Sequence, residues 1–358
     1  MSANIFFKKF FLFIFVITLL FAIIIIFEKI IFKEEKKLTS RSILLFQNKN
    51  GNPFVNHRNF FTYNPNDKIR ISSYYSKNNK FIKEYSYEFL TNNFGFKQNI
   101  KINKEDDYIL ILGNSFGEGQ GSPPWINFFQ DKFKKDKILF LNASMLGTGY
   151  AQWENIHNYL LEKSIKFKKI IIIFISYDLE RQVFTLDNNT LLCLKDYSSC
   201  NGKEIFIGAP KNPQEEEKFL TRIYESNPTF YKIGNFKELI KYYFPNIYLK
   251  YKTVRFKTIN QYANKMAIEN FVKKYKENII FIHAPLIEEY KTKKLIEPGV
   301  KTLNILNSLN AKVIDLKENC KFIPEKDWHP IDMHLNASGN SKLVECIYIQ
   351  TKQFIYNN

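Results

Sequence analysis

Short apolar runs alternate with segments of helical periodicity over residues 108–358. The apolar runs are rich in isoleucine and predict strands at residues 108–112, 137–141, 169–175, 278–282 and 312–316. Apolar residues recur at helical spacing between them, at residues 124–134, 151–164, 262–276 and 299–309. Short runs that are apolar throughout are typical of strands buried on both faces of a parallel sheet. The pattern therefore predicts a three-layer α/β domain with a central parallel sheet and helices on both faces.

Two regions depart from this alternation. Residues 34–107 are polar and aromatic, with turn signals such as Asn64-Pro65-Asn66, and they predict a lead-in that contains a hairpin. Residues 180–260 form a stretch too long for a plain connection within a compact domain. We therefore expect this second region to be an insertion packed over one end of the sheet.

The longest apolar run lies near the amino terminus. Residues 10–27 are 18 consecutive residues with nothing more polar than Thr18, which is enough to cross a hydrocarbon core of about 30 Å. No small-x-small cleavage site is evident, so residues 1–33 predict an uncleaved, single-pass transmembrane helix. Lysines flank the run on both sides, Lys8 and Lys9 before it and four more after it, and they leave its orientation open.

The four cysteines bear on the compartment. Cys193 and Cys200 can close a small disulfide loop, and Cys320 and Cys346 can form a second bridge. Four cysteines permit three pairings, and free thiols in a cytosolic domain remain an alternative. Because disulfides persist in oxidising compartments, we favour a domain anchored in a bacterial inner membrane and facing the periplasm or cell exterior. The sequence has no Cys-x-x-Cys motif or Cys/His cluster, so no metal is expected.

The high net charge of the chain does not by itself indicate a nucleic-acid partner. The formal charge is +17, but only six of the 52 basic residues are arginine, and the lysines are spread along the chain. Abundant Lys, Asn, Ile, Phe and Tyr with few Gly and Pro is typical of an AT-rich genome. Because arginine is the usual base-reading residue and no basic block stands out, no nucleic-acid partner is expected.

Residues with catalytic potential follow the predicted strands. In open α/β sheets, ligand sites lie at the carboxyl ends of the strands. Ser115 follows the first strand on a glycine-flanked turn, where its N–H lies near a helix N-terminus. Asp332 and His334 lie on a loop before a final helix at residues 338–353. A neutral histidine can take the serine proton, and a carboxylate can hold its other ring nitrogen, so these residues predict nucleophilic catalysis.

The same loops resemble sequence blocks of the SGNH family of hydrolases, also called GDSL esterases and lipases. GNSFGEGQG at residues 113–121 resembles the first block, and NASMLGTG at residues 142–149 resembles the second. DMHLNASG at residues 332–339 is similar to the fifth block in members that carry Asp-x-His. LTNNFGF at residues 90–96 looks like a lead-in found in many bacterial members.

The resemblance covers about residues 108–350 and implies a flavodoxin-like fold. It implies that Ser115 is the nucleophile, that His334 is the base and that Asp332 orients His334. It also implies that the N–H groups of Ser115 and Gly147 hold the oxyanion.

Two positions depart from the family pattern. Asn114 stands where the first block usually has Asp, and asparagine holds such a turn nearly as well. Tyr177 falls where the third block has an asparagine that donates to the oxyanion, so that donor is missing or replaced. Loss of one such donor can lower the rate about 100-fold. Asp178 and Arg181, after the third strand, either line the pocket or form an ion pair.

Other interpretations of these residues remain open. The glycines around Ser115 also fit a dinucleotide-binding loop, although Asn142 stands where an acidic residue would hold the ribose. The same turn fits the nucleophile elbow of α/β-hydrolases, or it is a simple turn that happens to contain a serine.

The remaining histidines have simpler interpretations. A second Asp-x-His motif ends at His329, which we interpret as a surface or pocket-wall residue because the later copy precedes the helix. His157 and His283 are most simply structural. His283 ends the fourth predicted strand, so a substrate contact is its alternative role.

The sequence therefore predicts a membrane-anchored serine esterase, or an O-acyl (acetyl) transferase or deacetylase, acting through an acyl-enzyme on a cell-envelope glycan. No metal or organic cofactor is expected. The alternative is a degenerate, non-catalytic domain that binds glycan or a partner in envelope-polysaccharide assembly. The expected partners are the membrane, the acylated glycan and proteins of that assembly.

Overall fold

The computed structural model describes residues 10–20, 23, 42–49, 51–77, 80–226 and 259–357. Its strands are β1 Ile43–Asn48, β2 Phe54–Asn56, β3 Phe61–Tyr63, β4 Lys68–Lys77, β5 Lys80–Leu90, β6 Asp107–Gly113, β7 Leu139–Asn142, β8 Lys166–Phe174, β9 Ile207–Gly208, β10 Ile279–His283 and β11 Lys312–Asp315. Its helices are α1 (residues 10–20), α2 Ser115–Glu118, α3 Trp125–Lys132, α4 Tyr150–Glu162, α5 Asn188–Lys195, α6 Glu216–Ser226, α7 Ile259–Tyr275, α8 Ile287–Thr292, α9 Glu297–Ser308, α10 Leu316–Asn319, α11 Pro324–Asp327 and α12 Ala337–Tyr356.

The helix α1 covers part of the predicted membrane anchor. Its side chains are exposed, and residues 1–9, 21–22 and 24–33 of the predicted anchor lie outside the described residues. Within the described part of the chain, no helix combines the length and the apolar character needed to cross a bilayer.

The central sheet has five parallel strands in the order β11-β10-β8-β6-β7. Counted along the chain from the β7 edge, this order is 2-1-3-4-5, which is the flavodoxin-like arrangement. Each strand overlaps an apolar run of the sequence to within about three residues at either end. The predicted parallel sheet is therefore confirmed.

Alternate residues of the central strands enter two different cores. Leu110 and Ile172 belong to a core that also contains Trp153 of α4. Ile111 and Ile171 point to the opposite face, where the core includes Phe129 of α3. Because successive side chains of a strand alternate between faces, this pattern covers both sides of the sheet and produces the three predicted layers.

The lead-in and the insertion together form a second sheet, which we call the accessory sheet. Its strand order is β5-β4-β1-β9, with β4 and β5 as a hairpin and β1 parallel to β9. The strand β9 comes from the insertion, so Phe46 pairs with Gly208 across a long sequence separation. Residues 227–258 of the insertion lie outside the described residues.

A small core and a buried ion pair join these two regions. Leu45 of the lead-in packs with Leu220 of the insertion. Arg70 of β4 donates to Glu216 of α6 at 2.7 Å, and Glu216 is fully buried. The described part of the insertion therefore packs onto the lead-in.

Both predicted cysteine pairs are disulfide-bonded. Cys193 bonds Cys200 within the insertion, and Cys320 bonds Cys346 between the segment after α10 and the helix α12. Of the three pairings that the sequence allows, this is the one present.

Candidate active site

Ser115 is the first residue of α2, directly after β6. The side chain of Asn114 caps this short helix by accepting the N–H of Phe116 at 2.7 Å. Gly117 faces the second loop so closely that a Cβ there would lie 2.7 Å from Ser144 Oγ. The local sequence therefore forces a tight strand-to-helix turn, and Ser115 lies at its tip at the carboxyl edge of the sheet.

The structure brings Ser115, His334 and Asp332 into one chain of hydrogen bonds. Ser115 Oγ lies 2.7 Å from His334 Nε2, and His334 Nδ1 lies 2.9 Å from Asp332 Oδ2. With a proton on Nδ1, the imidazole donates to Asp332 and leaves Nε2 free to accept the serine proton. This is the geometry that a nucleophile, its base and an orienting carboxylate require.

The environment keeps Asp332 ionised. Burial alone would raise its pKa, but the attraction of His334 and the hydrogen bonds from His334, Tyr85 and Ser42 hold the pKa of Asp332 well below its usual range. An ionised Asp332 accepts the Nδ1–H of His334 and stabilises the imidazolium that forms when Ser115 loses its proton.

A short, internally bonded loop carries both Asp332 and His334. An isolated β-bridge joins Trp328 to Leu335 at its base, and His329 N–H donates to His334 O at 2.8 Å. The helix α12 follows at once, because Asn336 caps it by accepting the N–H of Gly339. One short segment therefore presents His334 to Ser115 and Asp332 to His334.

The predicted oxyanion donors lie on two neighbouring loops. Ser115 N–H belongs to the first turn of a helix, where N–H groups have no acceptor within the helix. Gly147 follows β7 with φ +76°, a conformation that favours glycine. Tyr177, at the position expected for the family's asparagine, is partly buried and packs against the core around α3 and α12.

Asn114 holds the turn, as the sequence predicts, and it does so together with Asp178 rather than from the substrate side. Both are fully buried beneath Ser115, where Asn114 Nδ2 donates to Asp178 Oδ2 at 2.5 Å. Asp178 also accepts Ile175 N–H at 2.8 Å and lies 3.4 Å from Arg181 Nε. Burial raises the pKa of Asp178 to about 6, although Arg181 acts in the opposite direction. Asp178 therefore supports the turn and does not line the pocket, and its ion pair with Arg181 is the simpler of the two predicted roles.

A group of residues near the triad was not predicted. Tyr85 and Gln120 both approach Asp332 Oδ2, at 2.6 and 3.2 Å. Glu84 accepts the backbone N–H groups of Ile331 and Asp332. All of these contacts cross more than 200 positions of sequence, so no local pattern reveals them. Gln120 alone of the three residues lies within the sequence block GNSFGEGQG.

A buried lysine lies on the opposite side of α2. Lys97 Nζ donates to Gly119 O at 2.8 Å and to Ser122 O at 2.9 Å. Burial lowers the pKa of Lys97 to about 7, with Glu118 acting against that change. Burial likewise raises the pKa of Glu118, which accepts the hydroxyl of Tyr63 at 2.7 Å. These contacts fasten the segment after Ser115 to the lead-in.

The other histidines do not contact Ser115. His283 is fully buried, with Nδ1 3.0 Å from Asp315 and Nε2 3.2 Å from Ser176 Oγ, so it is structural and not a substrate contact. His157 is buried against Tyr275. His329 Nε2 lies 2.8 Å from Gly121 O, at the wall of the site.

Two cavities lie away from the triad. One of about 590 Å³ lies at the amino ends of β8, β10 and β11, and one of about 430 Å³ lies beside β1 and α5. Within the described residues, no group of three His, Cys, Asp or Glu side chains is arranged to hold a metal ion.

Comparison with known proteins gives only structural likenesses. No family model and no curated protein matches the chain. Its structure is similar to a lipase/acylhydrolase from Enterococcus faecalis, with a TM-score of 0.37, 13% identity, and coverage of 69% of this chain and 96% of that one. It is also similar to an acetyl xylan esterase from Geobacillus stearothermophilus (TM-score 0.36, 10% identity, 72% and 97% coverage). A family 3 carbohydrate esterase from Clostridium thermocellum gives a TM-score of 0.36, 11% identity, and 70% and 98% coverage.

These scores are low, so the function proposed below rests on the atoms of the site. The strand order of the central sheet and the hydrogen-bonded Ser115, His334 and Asp332 are observed directly. The chain thus has the flavodoxin-like fold and the serine–histidine–aspartate arrangement that its resemblance to the SGNH hydrolases implied.

Proposed function

We propose that this protein is an SGNH-type serine ester hydrolase or acyltransferase that works through an acyl-enzyme. The observation that carries the proposal is the 2.7 Å contact between Ser115 Oγ and His334 Nε2, continued at 2.9 Å to Asp332. Ser176, His283 and Asp315 form a similar chain of contacts, but Ser176 and His283 are fully buried. The His334 side chain is 17% exposed, and Ser115 lies at a helix N-terminus at the carboxyl edge of the sheet, so a substrate can reach the chain of contacts at Ser115.

The reaction follows from these positions. Ser115 Oγ attacks the ester carbonyl carbon while His334 Nε2 takes its proton, and Asp332 stabilises the resulting imidazolium. The N–H groups of Ser115 and Gly147 are the proposed donors to the oxyanion. His334 then returns the proton to the leaving alkoxide, and the acyl group stays on Ser115 until water or another hydroxyl removes it.

The proposed substrate is an O-acyl, chiefly O-acetyl, group on a cell-envelope glycan. Two features of the chain support it. The apolar run at residues 10–27 would anchor the protein in a bacterial inner membrane, and the two disulfides suit an oxidising periplasm or cell exterior.

A reporter fused to the carboxyl terminus tests this topology. Activity of a reporter that works only in the cytoplasm would contradict it.

Labelling with a fluorophosphonate tests the chemistry. We expect the full chain to be labelled at Ser115, and we expect His334→Ala to lower the rate of labelling by about 10⁵-fold or more, because the base is then absent. Ser176→Ala is the matched control, since Ser176 also lies beside a histidine but is fully buried. Labelling should survive in that variant.

A second candidate is a non-catalytic SGNH-like domain that binds glycan or a partner protein. The observation that favours it is Tyr177, which replaces the side-chain oxyanion donor of the family. A chain that resists the fluorophosphonate under conditions that label a known serine esterase would support this candidate and contradict the first.

A further inference from the structure

The accessory sheet reaches the catalytic carboxylate directly. The hydroxyl of Tyr85, on β5, donates to Asp332 Oδ2 at 2.6 Å. Gln120 Nε2 approaches the same oxygen at 3.2 Å. Of the side chains that donate to this carboxylate, His334 and Gln120 belong to the central α/β domain, whereas Tyr85 comes from the lead-in.

Glu84, which precedes Tyr85 on β5, holds the backbone of the loop that carries Asp332. Glu84 Oε1 accepts the N–H of Ile331 at 2.8 Å, and Glu84 Oε2 accepts the N–H of Asp332 at 3.1 Å. The ring of Tyr85 also lies against the ring of His329, with centroids 4.4 Å apart. One strand therefore restrains both the side chain of Asp332 and the backbone around it.

We propose that Tyr85 and Glu84 are positioning residues for catalysis, so that the accessory sheet completes the active site rather than only covering the domain. The inference rests on the proposed function, because it assigns these residues a role in the action of Asp332 on His334. Neither residue touches the reacting atoms.

The hydrogen bond from Tyr85 fixes the geometry of the triad. It holds the rotation of the Asp332 carboxylate, so that Oδ2 is directed at His334 Nδ1. Loss of the hydroxyl should therefore leave Asp332 free to rotate and misplace His334 relative to Ser115.

The test compares Tyr85→Phe with Tyr74→Phe in the purified full chain. Tyr74, on β4 of the same sheet, donates to Glu216 Oε2 at 2.8 Å and does not contact the triad, so its variant loses a similar bond elsewhere. With p-nitrophenyl acetate, we expect Tyr85→Phe to lower kcat about tenfold with KM within about twofold, since misplacement by less than 1 Å has effects of this size. Tyr74→Phe should change neither.

A second pair of variants tests the backbone contact. Glu84→Ala should lower kcat in the same way, whereas Glu88→Ala, which removes an exposed carboxylate of the same strand, should not. Glu84→Ala and Glu88→Ala also test the positioning role of β5 if Tyr85→Phe does not fold.

The outcomes separate this inference from the proposed function. If the wild-type chain labels at Ser115 and hydrolyses the ester, but Tyr85→Phe and Glu84→Ala match their controls in kcat and KM, the positioning role is wrong and the proposed enzymatic function is unaffected. A wild-type chain that neither labels nor hydrolyses contradicts the proposed function itself.

Discussion

At the scale of single residues, Asn114 shows why this chain departs from the SGNH sequence block that it resembles. Its amide oxygen accepts the N–H of Phe116, and its amide nitrogen donates to the buried carboxylate of Asp178. An ionised aspartate at the same position would accept the first bond but could not donate the second. The presence of Asp178 directly below Ser115 therefore favours an amide at position 114.

The first prediction concerns that amide. Asn114→Asp restores the usual residue of the family block but places two carboxylates about 2.5 Å apart in a buried site. We expect the variant to lose about 2 kcal/mol or more of unfolding free energy at pH 8, because the folded pair must either carry two charges or keep a proton that the unfolded chain has released. The loss should be smaller at pH 5, where keeping that proton costs less free energy.

Urea unfolding at the two pH values measures this difference. Asn304→Asp, at an exposed position in α9, serves as the control for the added charge. A loss that is equal at pH 5 and pH 8 would show that repulsion between the two carboxylates is not its cause.

At the scale of elements, the parts that follow from local sequence were predicted and the parts that depend on distant pairing were not. The central strands and the Asp332–His334 loop are each specified by neighbouring residues, and the structure has them within a few positions of the predicted bounds. The accessory sheet depends on pairs such as Phe46 with Gly208, and the contact from Tyr85 to Asp332 spans 247 residues. Hydrophobic alternation indicates a strand but not its partner, so neither could be predicted.

The second prediction concerns the charged cluster of His283, Asp315 and Glu289. His283 ends β10 and Asp315 ends β11, and Ser176, just after β8, contacts both His283 and Glu289. Burial would lower the pKa of His283, but the hydrogen bonds that its ring donates to Asp315 and Glu289, with the attraction of those two carboxylates, outweigh burial and raise the pKa to about 9. A raised pKa means that the cluster stabilises the fold fully below about pH 6.5 and loses this effect as the pH rises through about 9. The corresponding contribution is of the order of 3 kcal/mol.

Comparison of His283→Gln with the wild type tests this at pH 7 and pH 10. We expect the difference in unfolding free energy to be large at pH 7 and to shrink by pH 10, where the wild-type His283 has lost its charge. His157→Gln is the control, because burial lowers the pKa of His157 to about 4 and its contribution should not change between these pH values. A difference for His283→Gln that stays constant would contradict the charged state.

At the scale of the whole molecule, the catalytic arrangement depends on three regions of the chain. The central domain supplies Ser115 and His334, the lead-in supplies Tyr85, and the insertion holds the lead-in through Glu216 and β9. The two disulfides stabilise different parts of this assembly. Cys193–Cys200 closes a short loop in the insertion, whereas Cys320–Cys346 closes a loop that contains Asp332 and His334.

The last prediction uses these cysteines to locate the molecule. If the domain lies outside the cytoplasm, all four cysteines should be oxidised in living cells, because disulfides persist there and not in the reducing cytosol. Bacteria that make the full chain would be quenched with acid, denatured and treated with a maleimide–polyethylene glycol. We expect no mass shift before reduction and four additions after it. Additions to all four cysteines before reduction would place the domain in the cytoplasm. A Cys320→Ser variant is the control: before reduction it should show one addition, at Cys346, which has lost its disulfide partner.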